Sequence, residues 1–250
     1  MRKVLLFCIV FAMTISSTFA ATTKEQVAAA IKENPALVFE ALRSNKAQLL
    51  EILELAIAER DTLEQKNRFD ANLNNPLLPE IDNKRPHLGP LDAPITIVEY
   101  SDFLCKYCGQ GSLALQELLK RYPGQVRVFF KHYPARPGSI EPAGIFEALG
   151  LKSSEDAWKF ADLAFANQAS ISDGSGKGIA VLLKSMKMDY KNIKKQSEST
   201  EVLSKIEADV REAKQFGVEG TPTFVVNGIL VKGAVPVEAF EQIIQQLMKK

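Results

Sequence analysis

What this chain lacks narrows its chemistry first. In 250 residues it carries three cysteines, two histidines and one tryptophan, and its formal charge is only +1. A balanced charge excludes a surface organised around nucleic acid or another strongly charged partner. The scarcity of ligands argues against zinc: His87 and His132 lie 18 residues before Cys105 and 24 after Cys108, in no recognised ligand spacing. Long apolar runs are scarce too. VLLFCIVFAM, near the start, is about a dozen residues with its flanks, against the roughly 20 needed to span a bilayer.

What is present begins with that run. Arg2 and Lys3 precede it and Thr18-Phe19-Ala20 follows it, the pattern of a cleaved export signal over residues 1–20. The expectation is an exported, periplasmic protein. Cys8 leaves with the signal, so only Cys105 and Cys108 remain, with 29 basic residues against 30 acidic. Disulfides persist in such an oxidising compartment.

DFLCKYCGQG, residues 102–111, then poses the question of what two cysteines two residues apart are for. As a staple they close a loop worth only about 2 kcal/mol, against roughly 4.7 for a 100-residue loop. As a metal site they could hold copper(I) through two thiolates alone. As a redox pair they need one sulphur ionised near neutral pH, and an unshifted thiol of pKa about 8.5 is only about 3% ionised at pH 7. The surroundings favour the third reading. ITIVEYSD, residues 95–102, reads as a buried strand, and Leu113, Leu115, Leu118 and Leu119 mark a helix after it. The pair therefore sits where a strand ends and a helix begins, where free N–H groups and the helix dipole favour an anion. Lys106 adds a cation, while Gly109 and Gly111 weaken the first helical turns.

QVRVFFKHYP, residues 125–134, is a second strand, giving a βαβ unit. A helical block follows over residues 139–216, with Trp158 in its core. TFVV and ILVK, joined by Asn227-Gly228, form a hairpin, and a helix from about Pro236 closes the chain. The fold class is α/β, with order βαβ, helices, ββα.

That order, with APITIVEYSDFLCKYC, FFKHYP and GTPTFVVNG, resembles the thioredoxin fold with a helical insertion, as in the exported DsbA-type thiol:disulfide oxidoreductases. The resemblance covers residues 88–250. It implies that Cys105 is an exposed nucleophile and Cys108 a buried resolving thiol. Thr221-Pro222 would form a cis-proline loop that, with Lys106 and Tyr107, meets an extended substrate. Glu99 would be the family's buried acid and Lys131 its cationic partner on the next strand. No cofactor or structural metal is implied. The strongly oxidising members carry Pro-His where this chain has Lys106-Tyr107, which points to a weaker oxidant. Tyrosine before the second cysteine and threonine before the proline are similar to the isomerase-type relatives. The implied partners are unfolded or misoxidised exported proteins and a membrane redox partner. Three functions follow from the pair: disulfide isomerase, dithiol oxidase, or a copper(I) handler using the same thiolates. A chaperone to which the pair is incidental is a fourth.

Residues 21–69 lie outside that resemblance. They read as helices with Leu42, Leu49, Ala56 and Leu63 at intervals of seven and Val38, Ile52 and Leu53 widening the apolar face. Asn34-Pro35 followed by an amphipathic helix is similar to the oligomerising arm of the ScsC-type suppressor-of-copper-sensitivity proteins, which implies a homo-oligomer. Residues 70–94 hold five prolines and read as an extended linker, with the catalytic domain over 95–250.

Overall fold

The computed structural model describes residues 23–248. The expected export signal lies outside the described residues. The described residues divide into two compact units, the first ending at residue 60 and the second starting at 61.

The first unit is helical. Thr23 caps α1 (Lys24–Glu33) through a reciprocal capping box with Gln26, and Asn34-Pro35 separates it from α2 (Ala36–Ser44). α3 (Lys46–Asn74) starts in this unit and ends in the second. The helical stretch is thus broken once more than the sequence suggested, at Asn45, whose amide and side chain both turn back to the Ala41 carbonyl. Neither α1 nor α2 has a buried residue.

α3 also runs five residues past the expected arm boundary at 69, because nothing breaks it before Pro76. The linker reading of residues 70–94 is corrected at both ends. Residues 70–74 are helix, and β1 (His87–Leu88) pairs with a strand of the sheet. Between them the chain is pinned down: Leu77 N–H donates to Gly228 O at 3.0 Å, and Glu80 N–H to Glu212 at 2.7 Å.

The second unit is built on one five-stranded sheet. β2 (Ile95–Ser101) and β3 (Val126–His132) run parallel, as a crossover helix requires. β4 (Thr223–Val226) and β5 (Ile229–Lys232) form the expected hairpin, with Asn227 and Gly228 both at positive φ. The order is β1-β3-β2-β4-β5, so β2, which carries the site, is central. α4 (Lys106–Arg121) connects β2 to β3. The helical insertion runs from α5 (Ile140–Gly150) through α6 (Ser154–Ala166), α7 (Gln168–Ile171), α8 (Lys177–Ser185) and α9 (Tyr190–Ser197) to α10 (Thr200–Gln215). α11 (Val237–Met248) is the last described element.

Alternation along the strands assigns side chains to two faces. Ile95, Ile97, Val128 and Phe130 belong to the larger core, which Phe103 joins by stacking on Phe130 at a centroid distance of 5.0 Å. Val98, Tyr100 and Phe129 point the other way, into a smaller cluster with Ala213 of α10. Trp158 is buried in the larger core, as expected. α4 buries Leu115 and Leu118 on its inner side, but Leu113 is 66% exposed and does not belong to that face.

A buried ion network ties the proline-rich stretch to two helices. Arg85 bonds Asp209 through two nitrogens at 2.6 and 2.7 Å and Glu147 at 2.6 Å, while His132 Nε2 lies 3.0 Å from Glu147. Burial works against ionisation of Glu147, but the His132 hydrogen bond and the Arg85 charge hold its carboxyl down to about 2. Removing a buried cation strands the acids it pairs. Arg85→Met should therefore lose about 3–5 kcal/mol of stability at pH 7, read from urea unfolding. The depressed Glu147 contributes above its ordinary 4.5 and loses that contribution as pH falls towards 2, so the gap between variant and wild type should narrow in acid. A gap that stays constant down to pH 3 would contradict this.

Candidate active site

β2 ends in a turn that Asp102 organises. Its carboxylate, 0% exposed, accepts from Leu104 N–H at 2.8 Å, Ala135 N–H at 3.0 Å and Arg136 Nη1 at 3.3 Å. Cys105 N–H returns to Asp102 O at 2.9 Å, and Cys105, still extended at φ −85° and ψ 116°, becomes the N-cap of α4. The helix then continues through Gly109 and Gly111 despite their low helix propensity. Gly111 is needed there: a Cβ would lie 2.8 Å from the Phe224 ring and 3.3 Å from Pro222. Absence of a side chain lets α4 press against the loop before β4.

That loop contains a cis peptide bond between Thr221 and Pro222, as the resemblance implied. The Cys105 thiol donates to Thr221 O at 3.3 Å. Cys105 is only 1% exposed, so the expectation of an exposed nucleophile is corrected. The Thr221 carbonyl lies over it and Arg136 flanks it. Lys106 and Tyr107, by contrast, are exposed on the first turn of α4, Tyr107 at 59%. From Lys106 a groove of about 510 Å³ runs along α4 past Leu113, Gln116, Phe165 and Gln168.

The two thiols are driven apart. Burial opposes ionisation of Cys105, but the Thr221 hydroxyl, the amides of Cys108 and Tyr107 and the Cys108 thiol outweigh it and lower its pKa. Burial and the charge of Glu99 push Cys108 well up. The two shifts run in opposite directions, the division that exchange through a mixed disulfide requires.

Glu99 is fully buried. Burial pushes its carboxyl up to about 7, although Ser101 Oγ donates to one oxygen at 2.8 Å; the other oxygen has no hydrogen-bond partner. Its placement beside Cys108 fits the buried acid of the sequence reading. The Lys131 assignment does not fit. Lys131 is paired in register with Tyr100, not Glu99, and so points to the opposite face, where its Nζ bonds Glu212 at 2.5 Å. Glu212 also accepts from Tyr100 Oη at 2.5 Å. Lys131 belongs to a stabilising cluster under α10 and is corrected as a partner of Glu99.

Three residues at the site escaped the sequence reading. Asp102 carried a usable signal, an aspartate at a strand end just before a turn. Gln168 and Arg136 carried none. Gln168 Nε2 donates to both Phe103 O and Cys105 O at 2.8 Å, holding the turn from the helical insertion. Neither histidine joins the cysteines: His87 Nδ1 lies 3.1 Å from Arg85 O, and His132 meets Glu147. Among the described residues, no group of three or more His, Cys, Asp and Glu could hold a metal ion.

The raised Glu99 makes a signed prediction. Its neutral form favours the fold fully below 4.5, and that advantage drains as pH rises to about 7. Glu99→Gln should therefore gain on the wild type between those values, by up to about 3 kcal/mol, and then run parallel to it. Urea unfolding of the reduced proteins across this range measures the gap. Curves parallel throughout would refute the assignment.

Comparison with known proteins agrees with this geometry. The family model described as thioredoxin matches residues 82–246. Among curated proteins, the Na(+)/H(+) antiporter NhaA 1 of Salinispora arenicola is 34% identical over 167 residues, 65% of this chain and 25% of the antiporter. The antiporter NhaA of Herminiimonas arsenicoxydans is 30% identical over 162 residues, again 65% and 25%. The chain thus spans about a quarter of the length of these relatives. Among solved structures, oxidised BdbD from Bacillus subtilis aligns with a TM-score of 0.63 at 24% identity, covering 70% of this chain and 98% of that one. ScsC of Proteus mirabilis aligns at 0.57 with 22% identity, covering 88% and 97%. With the family match enclosing the strand-end cysteines and the cis-proline loop alike, this chain belongs to the thioredoxin family, in the DsbA-like form of its fold with a helical insertion and amino-terminal helices.

Proposed function

We propose that this protein is an exported thiol:disulfide oxidoreductase that reshuffles disulfides in folding proteins and does so as an assembly of several chains. The observation that carries the exchange chemistry is the opposed pair: a Cys105 thiol pushed towards the anion, beside a Cys108 thiol pushed away from it. The Cys105 thiolate attacks a client disulfide, forms a mixed disulfide and releases one client thiolate. In reshuffling, that client thiolate attacks a different client disulfide, and a client thiol finally displaces Cys105, with no net change of electrons. If the client stalls, Cys108 passes its proton to Glu99 and attacks the Cys105 sulphur; the Cys105–Cys108 disulfide forms, the client sulphur leaves as a thiolate, and the client has gained two electrons from the pair. The exposed Lys106 and Tyr107 and the Thr221-Pro222 loop flank the sulphur where an extended client strand would lie.

Isomerase is favoured over oxidase by Lys106-Tyr107, which supplies no histidine for the thiolate, and by the first unit. There Leu42, Leu50, Leu53 and Ile57 are 39–58% exposed in the single chain, an apolar load that another copy would cover. Several sites on one assembly raise the effective concentration at a tethered client.

The deciding experiment is reactivation of a scrambled-disulfide test protein by the reduced full chain, beside a form beginning at Asp61, with masses measured by light scattering. Multimeric full chain and monomeric short form, with reactivation on the order of tenfold slower in the latter, is the expected outcome. Rapid oxidation of a reduced peptide without reactivation would mean a dithiol oxidase instead.

A further inference from the structure

The dipeptide between the cysteines offers the Cys105 sulphur no imidazole, yet a cation reaches it from elsewhere. Tyr133 N–H donates to Ser101 O at 2.8 Å, so the chain leaving β3 continues beside the chain leaving β2. Two residues on, Ala135 N–H and the Arg136 guanidinium close on the Asp102 carboxylate. Asp102 is a buried anion three residues before Cys105, and left alone it would repel a thiolate there. Arg136 pairs with Asp102 at 3.3 Å, and Asp102 in turn takes the Cys105 N–H on its own carbonyl, which brings the guanidinium to the turn that carries the sulphur and within reach of its charge.

We propose that Arg136 is a thiolate-positioning residue that, from the loop after β3, neutralises Asp102 and so favours the Cys105 anion. The inference rests on the exchange reading of Cys105. Other charged or titratable groups around the sulphur are Glu99 and Asp102 from β2 and its exit, and Lys106 and Cys108 from α4. The amides of α4 and the Thr221 hydroxyl act on the thiol more strongly, so Arg136 adds to them rather than dominating. Burial works against the Arg136 charge, yet Cys105 and Asp102 together raise its pKa, the reciprocal of the effect proposed. Because Arg136 is 45% exposed, its share is open to screening by salt.

The test titrates thiolate absorbance at 240 nm in the reduced full chain at low and high salt. Arg136→Met should raise the midpoint by about half to one unit, the low end for loss of a neighbouring opposite charge. Arg136→Lys should keep most of the wild-type value, and high salt should move the wild type towards the methionine variant while leaving that variant in place. Equilibration with glutathione reads the same effect: one enzyme dithiol reduces one glutathione disulfide to two thiols, passing two electrons and two protons. Its equilibrium constant should rise about three- to tenfold in Arg136→Met, a potential lower by about 15–30 mV.

An unmoved midpoint in Arg136→Met overturns the proposal, and so does an equal shift in the methionine and lysine variants, which would assign the effect to the planar fork on Asp102. Should Arg136→Met fail to fold, a wild-type midpoint insensitive to salt overturns it alone. Titration needs no client, so a wild type inactive in exchange would sink the functional reading while leaving this result standing.

Discussion

A sulphur 1% exposed can take up a negative charge only if the dipoles that stabilise that charge are already in place. Everything at the active end serves that constraint on Cys105. β2 stops at Ser101, Asp102 bends the chain, and α4 begins with its first amides turned towards the sulphur. The opposite wall comes from 116 residues later: the Thr221 hydroxyl favours the anion, and the Thr221 carbonyl accepts from the thiol when it is protonated. Gly111 sets how closely the two walls approach, since any side chain there would collide with Phe224. Gln168 completes the cage from the helical insertion.

What the sequence discloses follows from how local the physics is. β2, β3, the Asn227-Gly228 hairpin and the strand-to-helix placement of the cysteines depend on neighbours in the chain, and these were legible, whereas β1 inside the supposed linker was not. The Thr221-Pro222 loop was legible through a family resemblance, because a dipeptide reports its own chemistry but not its distant target. Gln168 and Arg136 were not legible: each is an ordinary polar residue whose role depends on which carbonyl or carboxylate the fold brings to it. Lys131 failed differently. A strand's period of two decides which face a side chain takes, and without the register between β2 and β3 its face relative to Glu99 was open. Leu113 and the end of α3 show that periodicity locates an element better than it locates its boundary or its buried stripe.

The first unit obeys another constraint. α1 has 10 residues and α2 has 9, lengths at which an isolated helix is marginal in water, and neither buries a side chain of its own. Capping at Thr23 gives local definition worth about a kcal/mol, and Asn45 closes α2 by bonding the Ala41 carbonyl. Leu42, Leu50 and Leu53 are left exposed, so the packing that would steady such helices is not supplied within the described chain. In the assembly proposed above, their shape and the presence of a second copy become one thermodynamic question.

The opposite orientations of Glu99 and Lys131 make the sheet a partition. On one side a carboxyl poised between charge states lies beside the sulphurs, in an apolar setting that magnifies each proton or electron gained. On the other, Glu212 is clamped by Lys131 and Tyr100. A single layer of backbone separates the side that holds the titrating carboxyl and the two thiols from the side that holds a fixed ion pair. In the exchange proposed above, the pair changes its charge on one side while the helix bolted to the other registers none of it.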